Sequence, residues 1–262
     1  MVAKMFREER LRQIIEIAYD KKKLIVSDLA DQFNRSPSSI RLDLTELEKR
    51  GILKRTHGGA ILAEKAETDF IFGKNFLNLR LETNKPEKEK IAKAVTELIH
   101  DGDSIMIDGG STTYYVAKQL STKRGLTVIT TSLNLLPSLI ECSDMKVYMT
   151  GGLIHRDFQD AIGEISVDSL QRFTPDVAIM GIDAFSLDQG FTTTEPAMAQ
   201  IKKQMFSVSK KPIIVADYSK FGKACLFHVA DLKDVFALIT DKGSPAELDK
   251  FLERSNVKLV RA

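Results

Sequence analysis

No apolar run in this sequence approaches the roughly 20 residues that a membrane-crossing helix needs, so no membrane partner is expected. Behind the charged start MVAKMFREER no apolar stretch follows, so no secretory signal is expected and the chain reads as cytoplasmic. Cysteine is scarce: Cys142 and Cys225 lie far apart without CxxC spacing and read as buried thiols. Neither GxxxxGK[ST] nor GxGxxG occurs, which removes two nucleotide fingerprints. No His/Cys/Asp/Glu cluster has metal-ligand spacing and no GxSxG context is present, so no metal, cofactor or catalytic residue is expected. Net charge is nearly absent as well, at +2. What remains is a chain of 262 residues, 43% hydrophobic and 28% charged, the composition of one large or two modest globular domains.

The small net charge is unevenly placed. Residues 1–62 hold 13 Lys and Arg against 9 Asp and Glu, a net of +4, while the remainder holds 25 against 27, a net of −2. A basic head on a faintly acidic body suggests that the head meets a polyanion. Within the head, Leu11, Ile14, Ile15 and Ala18 recur at helical spacing, and Leu24-Ile25-Val26 reads as a short strand. Ser27 stands where an N-cap would open a second helix. Ser36 followed by Pro37 opens a third helix, and Gly51 closes it. Two helices joined by so short a turn make a helix-turn-helix. ILKRTHGGAIL after Gly51 suits a β-hairpin wing.

On the third helix Ile40, Leu44 and Leu47 share the inner face. Ser38, Leu42, Thr45 and Lys49 fall on the opposite face, with Ser39 and Arg41 at its edges and Ser36 at its start. That face is the candidate reader of the major groove, where Ser, Thr and Arg bond bases or phosphates. Lys54, Arg55 and His57 on the wing are candidate phosphate or minor-groove contacts. A winged helix used for protein contacts would show the same pattern. Leu42 fits either an apolar contact to a thymine methyl or a tolerated exposed leucine.

SPSSIRLDLTELEKRGILKRTHGGA, residues 36–60, closely resembles the helix-turn-helix and wing of DeoR-family bacterial transcriptional regulators. The family's Thr-Ile-Arg-Arg-Asp-Leu core stands here as Ser39-Ile40-Arg41-Leu42-Asp43-Leu44, and its Arg-x-His-Gly-Gly-Ala wing as Arg55 to Ala60. Ser39 keeps a hydroxyl in place of Thr; Leu42 loses the charge of an Arg. The resemblance implies that residues 1–62 form a winged helix-turn-helix that binds double-stranded operator DNA.

Residues 63–84 mix charges with Phe70, Phe72, Phe76 and Leu79 in weak periodicity and read as a linker whose aromatics dock on the body or on another subunit. Asn84 then caps a helix with Pro86 in its first turn. Beyond it, apolar runs at 104–108, 126–130, 146–149, 176–180, 212–216, 235–240 and 257–260 alternate with helical patterns. Alternation of that kind predicts a Rossmann-like α/β domain over 85–262 around a largely parallel sheet.

In such sheets ligands bind beyond the carboxyl ends of the strands, and polar residues gather there. They are Asp108, Gly109, Gly110, Ser111, Thr112 and Thr113; Thr131 and Ser132; Gly151, Gly152 and Arg156; Asp183, with Glu195 farther on; and Asp217 with Lys220. Strand, glycine turn and helix start at 105–120 make an anion site of free N–H groups and a helix dipole, though the same string also serves as an ordinary strand-to-helix turn. Arg156 and Lys220 suit a negative charge, and the Asp or Glu residues suit sugar hydroxyls, so a sugar phosphate fits the chemistry. Of Tyr114 and Tyr115, one is expected in the core and the other on ligand or a neighbour.

These loops are similar to the DeoR-family effector domain, itself similar to ribose-5-phosphate isomerase and glucosamine-6-phosphate deaminase. The matching runs are Asp108–Thr113, Gly151-Gly152, Gly181–Asp183 and Asp217–Gly222; the family's Thr-Asn-Ser appears as Thr130-Thr131-Ser132. The resemblance implies a repressor of carbohydrate metabolism controlled by a phosphorylated sugar, and not an enzyme. Helix-turn-helix proteins bind repeated half-sites, so a homo-oligomer, dimer or tetramer, is expected. The alternative is a sugar-phosphate isomerase or deaminase with a DNA-binding appendage, using Asp108, Asp183, Glu195 and Lys220 for proton transfer.

Overall fold

The computed structural model describes residues 7–21, 23–63, 77, 80–252 and 256–262. It divides into two compact units, residues 1–79 and 80–262. Most of the stretch read as a linker, including Phe70, Phe72, Phe76 and Leu79, lies outside the described residues. Residues 80–84, read as the end of that linker, pack on the second unit: the Tyr115 hydroxyl donates to Leu81 O at 3.2 Å, and Lys88 Nζ donates to Arg80 O at 2.6 Å.

The first unit is built from α1 (Arg7–Lys21), β1 (Lys23–Ile25), α2 (Val26–Gln32), α3 (Pro37–Lys49), β2 (Leu53–Thr56) and β3 (Gly59–Leu62). Its strands form an antiparallel sheet in the order β1-β3-β2, the wing. Leu11, Ile14, Leu29, Ile40, Leu44 and Leu47 meet in one core, as their helical spacing requires. α2 begins at Val26, one residue before the serine expected to cap it; the Ser27 hydroxyl instead donates to Asp28. Ser36 does cap α3, accepting the Ser39 N–H at 3.2 Å, and Gly51 takes φ +72° just past the helix end. At Gly59 a Cβ would overlap the Leu24 carbonyl across the β1–β3 pairing, so only glycine fits.

One buried ion pair holds α1 to α3. Arg10 Nε donates to Asp43 at 2.6 Å and Arg7 Nε at 3.1 Å, with Asp43 and Arg10 both buried.

The second unit contains α4 (Lys85–Thr96), β4 (Ser104–Ile107), α5 (Ser111–Gln119), β5 (Thr127–Thr130), α6 (Leu136–Ile140), β6 (Lys146–Met149), β7 (Leu153–His155), β8 (Asp160–Ile162) and α7 (Glu164–Gln171). There follow β9 (Val177–Gly181), β10 (Ala184–Ser186), β11 (Gly190–Thr193), α8 (Pro196–Val208), β12 (Lys211–Val215), β13 (Phe227–Ala230), β14 (Ala237–Thr240), α9 (Glu247–Leu252) and β15 (Lys258–Arg261). All seven apolar runs expected as strands lie in one parallel sheet, in the order β15-β14-β12-β9-β4-β5-β6. Alternate residues feed two cores. Ile105, Ile107, Val128, Ile179 and Val215 pack beneath α4 and α5. Met106, Ile129, Met180 and Ile214 pack beneath α7 and α8. Both faces are therefore covered, which is why these strands read as continuous apolar runs.

Strand order reverses at β4. The chain moves outward through β5 and β6, then returns to build β9, β12, β14 and β15 on the other side. The loops after β4 and β9 thus part at a topological switch point, where a crevice opens. The β7–β8 hairpin and the antiparallel trio β10-β11-β13 were not anticipated. Asn84, expected as a cap, sits at φ +50° and donates its side-chain amide to Asp217 at 3.0 Å.

Removing one partner of a buried pair leaves the other charge uncompensated, at a cost of about 3–5 kcal/mol. Asp43→Ala is therefore expected to destabilise the helix-turn-helix unit by about that amount, read from its denaturant midpoint, while unfolding of residues 80–262 stays where it was.

Candidate functional site

The outer face of α3 is open. Ser36, Ser38, Arg41, Leu42 and Lys49 are exposed, Ser39 and Thr45 partly so, and Leu42 has 67% of its surface in solvent. Lys54 and His57 on the wing are exposed too. Besides Ser36, whose hydroxyl caps α3, two residues of the expected contact set are engaged within the protein. The Thr45 hydroxyl donates to Arg41 O at 2.8 Å and accepts Arg55 Nη1 at 2.9 Å. Arg55 also donates to Arg41 O and to Gly59 O, each at 3.3 Å, and its backbone N–H donates to Glu48 at 2.8 Å. Arg55 thus braces wing against α3 and fixes the angle at which both meet a partner.

In the second unit a cleft of about 470 Å³, counted to its open mouth, lies over the switch point. Gly109, Gly110, Ser111, Thr112, Asp183 and Lys220 from the expected set line it. The backbone turns after β4 into α5 at Gly110, and Ser111 and Thr112 form the first helical turn with side chains toward the cleft. Thr113 is buried beneath, its hydroxyl donating to Gly110 O at 3.1 Å. Lys220, held by the 3₁₀ turn at 218–220 that Asp217 caps, faces the same space. Among the described residues its ammonium makes no hydrogen bond or ion pair. Burial and the nearby Arg80 push its pKa below the ordinary lysine value, against the pull of Asp217 and Asp183.

Asp108 does not reach the cleft. It is fully buried, ion-paired with Lys202, and accepts the Gly181 N–H at 3.1 Å; Lys202 Nζ also donates to Gly181 O at 2.9 Å. Burial pushes the Asp108 carboxyl up, with Lys202 opposing. Asp108 is thus a strut joining β4, β9 and α8. Asp183 accepts Thr193 Oγ1 at 2.6 Å and Arg80 Nη2 at 3.2 Å. Burial works to raise its pKa, but Arg80, Thr193, Lys220 and Lys202 together hold it well below the carboxylate range.

Arg156 is exposed beyond β7, and Glu195 stands at the start of α8; neither lines the cleft. Gly151 and Gly152 turn the chain between β6 and β7 at φ +71° and +118°, also outside it. Asp217 is buried and accepts Ser219 N and Asn84 Nδ2, each at 3.0 Å. Thr131 and Ser132 are fully buried after β5. Tyr115 packs in the core and Tyr114 stands edge-on to it at 5.7 Å. The His155 ring lies tilted against that of Phe158, with centroids 4.8 Å apart.

Arg80, Phe158, Thr193 and Lys202 line the cleft without having been singled out. Lys202 left a signal: it shares the helical spacing of Met198, Ile201 and Met205, and a lysine inside an apolar stripe calls for a partner. Arg80 left none, because its partner is more than a hundred positions away.

Residues 10–66 match the DeoR-like helix-turn-helix domain and residues 83–242 match the DeoR C terminal sensor domain. The chain belongs to the DeoR family. Transcriptional repressor AccR of Agrobacterium fabrum is 31% identical over 97% of this chain and 97% of its own length. The glycerol-3-phosphate regulon repressor of Escherichia coli K12 is 28% identical over 97% of this chain and 99% of its own. Ribose 5 phosphate isomerase A from Neisseria gonorrhoeae aligns over 51% of this chain and 52% of that one, at 21% identity and a TM-score of 0.38. This DeoR-family protein is thus a DNA-binding transcriptional regulator with an α/β sensor unit, and no helix among its described residues is long and apolar enough to cross a membrane.

Two stability effects follow from the buried groups. Lys202→Ala leaves Asp108 as an unpaired buried carboxylate and is expected to cost the sensor unit about 3–5 kcal/mol, whereas Lys202→Met with Asp108→Asn recovers part of that loss in the same denaturation series. Asp160, a buried acid beside the cleft, has its carboxyl pushed up to about 7 by burial, against about 3.9 in an unfolded chain. A folded-state value above the unfolded one favours the native state at low pH, so stability falls from about pH 4 to 7 and levels above. Asp160→Asn should flatten that slope in melts taken across pH.

Proposed function

We propose that this regulator is a repressor of a carbohydrate operon, released from its operator by a phosphorylated sugar held in the cleft over the switch point. The observation that carries the reading is Lys220: a partly buried ammonium with no hydrogen-bond partner among the described residues, lining the same cleft as the glycine turn and helix start at Gly109–Thr112. A phosphate there gains backbone N–H groups, two hydroxyls, the helix dipole and a cation whose own burial it relieves. The Thr193 and Asp183 side of the cleft suits sugar hydroxyls. The relative that controls a glycerol-3-phosphate regulon supports a phosphorylated effector. DNA contacts are assigned to Ser38, Ser39, Arg41, Leu42 and Lys49 on α3 with Lys54 and His57 on the wing, acting in a dimer or tetramer on repeated half-sites.

Proton-transfer chemistry has less support. Asp108 is tied to Lys202, Glu195 lies outside the cleft, and Asp183 is held too acidic by Arg80 to serve as an efficient base.

Fluorescence anisotropy of the protein on its own upstream DNA, at fixed salt because affinity depends steeply on it, tests the reading. One member of a panel of sugar phosphates should release the DNA, and Lys220→Ala should weaken that response about tenfold or more while leaving ligand-free DNA affinity unchanged. Release by an unphosphorylated sugar alone, or an unaltered response in Lys220→Ala, would refute the phosphate assignment.

A further inference from the structure

Asp160 belongs neither to the cleft lining nor to the Asp108 strut. It begins β8, 1% exposed, and stands between two cross-strand neighbours. It pairs with Ser132 in an isolated antiparallel bridge and with His155 across the β7–β8 hairpin. Directly opposed residues of antiparallel pairs carry their side chains on one face, so Ser132, Asp160 and His155 form a row. Each ends in a buried polar atom that makes no well-formed hydrogen bond among the described residues, Ser132 Oγ, Asp160 Oδ1 and His155 Nδ1, although the Ser132 hydroxyl stands near enough to Asp160 to oppose the effect of burial on its carboxyl. Buried polar atoms without partners are few in folded proteins and each calls for a reason.

The Asp160 carboxyl presses directly on the anion turn. A Cβ added at Gly109 would overlap both of its oxygens, so no side chain separates the acid from the turn. The charged groups around it come from several elements. Asp108 at the end of β4 is a second acid; Lys202 on α8 is ion-paired with Asp108; Arg80 is bonded to Asp183; His155 faces it from β7. Lys202 and Arg80 both act to lower its pKa, but burial outweighs them. An anion at Gly109–Thr112 would bring one more negative charge against the carboxyl, and of two like charges so placed one takes up a proton.

We infer that Asp160 is the charge-selecting residue of the anion turn: the turn accepts an anion together with one proton, which Asp160 holds. The inference rests on reading Gly109–Thr112 as an anion site. Protonated, Asp160 becomes an O–H donor, and the Ser132 hydroxyl opposite can accept it. Burial already pushes the carboxyl up to about 7, so the coupled proton exchanges near neutral pH. Affinity for an anion therefore falls as pH rises through and above 7, and an anion that carries its own proton is favoured over one that cannot.

Sulfate is the probe, because it does not titrate near neutral pH and any proton taken up belongs to the protein. Calorimetric titration of the full chain in two buffers of different protonation enthalpy should show close to one proton absorbed per sulfate at pH 8. Affinity should be about tenfold weaker at pH 8.5 than at pH 6.5. In Asp160→Asn both effects should vanish, with Asp160→Ser as the second variant if the first does not fold; His155→Gln should keep them. Proton uptake that persists in the folded Asp160 variants, or that disappears in His155→Gln, overturns the inference. Sulfate bound by the parent with no proton overturns it as well and leaves the anion site standing. No sulfate binding by the parent, with Lys220→Ala indifferent to every anion tried, overturns the anion site and the inference together.

Discussion

The sensor unit depends on one buried contact, the ion pair of Asp108 with Lys202, closed by the Gly181 backbone on both sides. It joins the ends of β4 and β9, the two strands that part at the switch point, to the helix that covers them. A buried ion pair adds little net stability, because desolvation of both charges offsets their attraction. What it supplies is position. The glycine turn, the Gly181–Asp183 turn and α8 are tied through the same two side chains. Asp108 thus opens the most conspicuous motif of the chain while acting beneath the site.

That arrangement explains why the site was only half legible in the sequence. Periodicity and burial are local properties, so α3 with its exposed face, the seven apolar strands and the glycine turn into α5 all declared themselves. The two cores needed no further information, since strand residues alternate between them. Side-chain destinations are not local. Asp108 looked like a ligand-binding acid because nothing nearby in sequence offers it a cation. Asn84 looked like a cap because it precedes a helix, yet its amide is bound to Asp217 more than a hundred residues away. Arg156 and Glu195 stood beside the right loops but do not line the cleft. Alternation says that a sheet is parallel, whereas strand order, and with it the crevice, is decided by which way each crossover folds back.

The helix-turn-helix unit shows the same division. Ile40, Leu44 and Leu47 could be assigned to the core from spacing alone, and the outer face followed by rotation. Arg55 could not. A basic residue on a wing reads as a phosphate contact, but its guanidinium is bonded to Thr45 and to the carbonyls of Arg41 and Gly59. A brace of this kind sets how wing and helix are presented together, which bears on groove fit as much as a direct contact does.

An effector acts on DNA binding only through a difference in its affinity for two states of the protein. In the proposed mechanism Arg80 is where such a difference can arise. It is the first residue of the sensor unit, it lines the cleft, and it is bonded to Asp183. Its own carbonyl is held by Lys88, and that of Leu81 by the Tyr115 hydroxyl. In this proposal a phosphate drawn to Lys220 would compete with Asp183 for the same guanidinium, which lines the cleft beside Lys220. Any exchange of one acid for another at Arg80 would fall on the residue that opens the sensor unit. A cleft lined only by residues from the far strand ends would have no such lever, however tightly it bound.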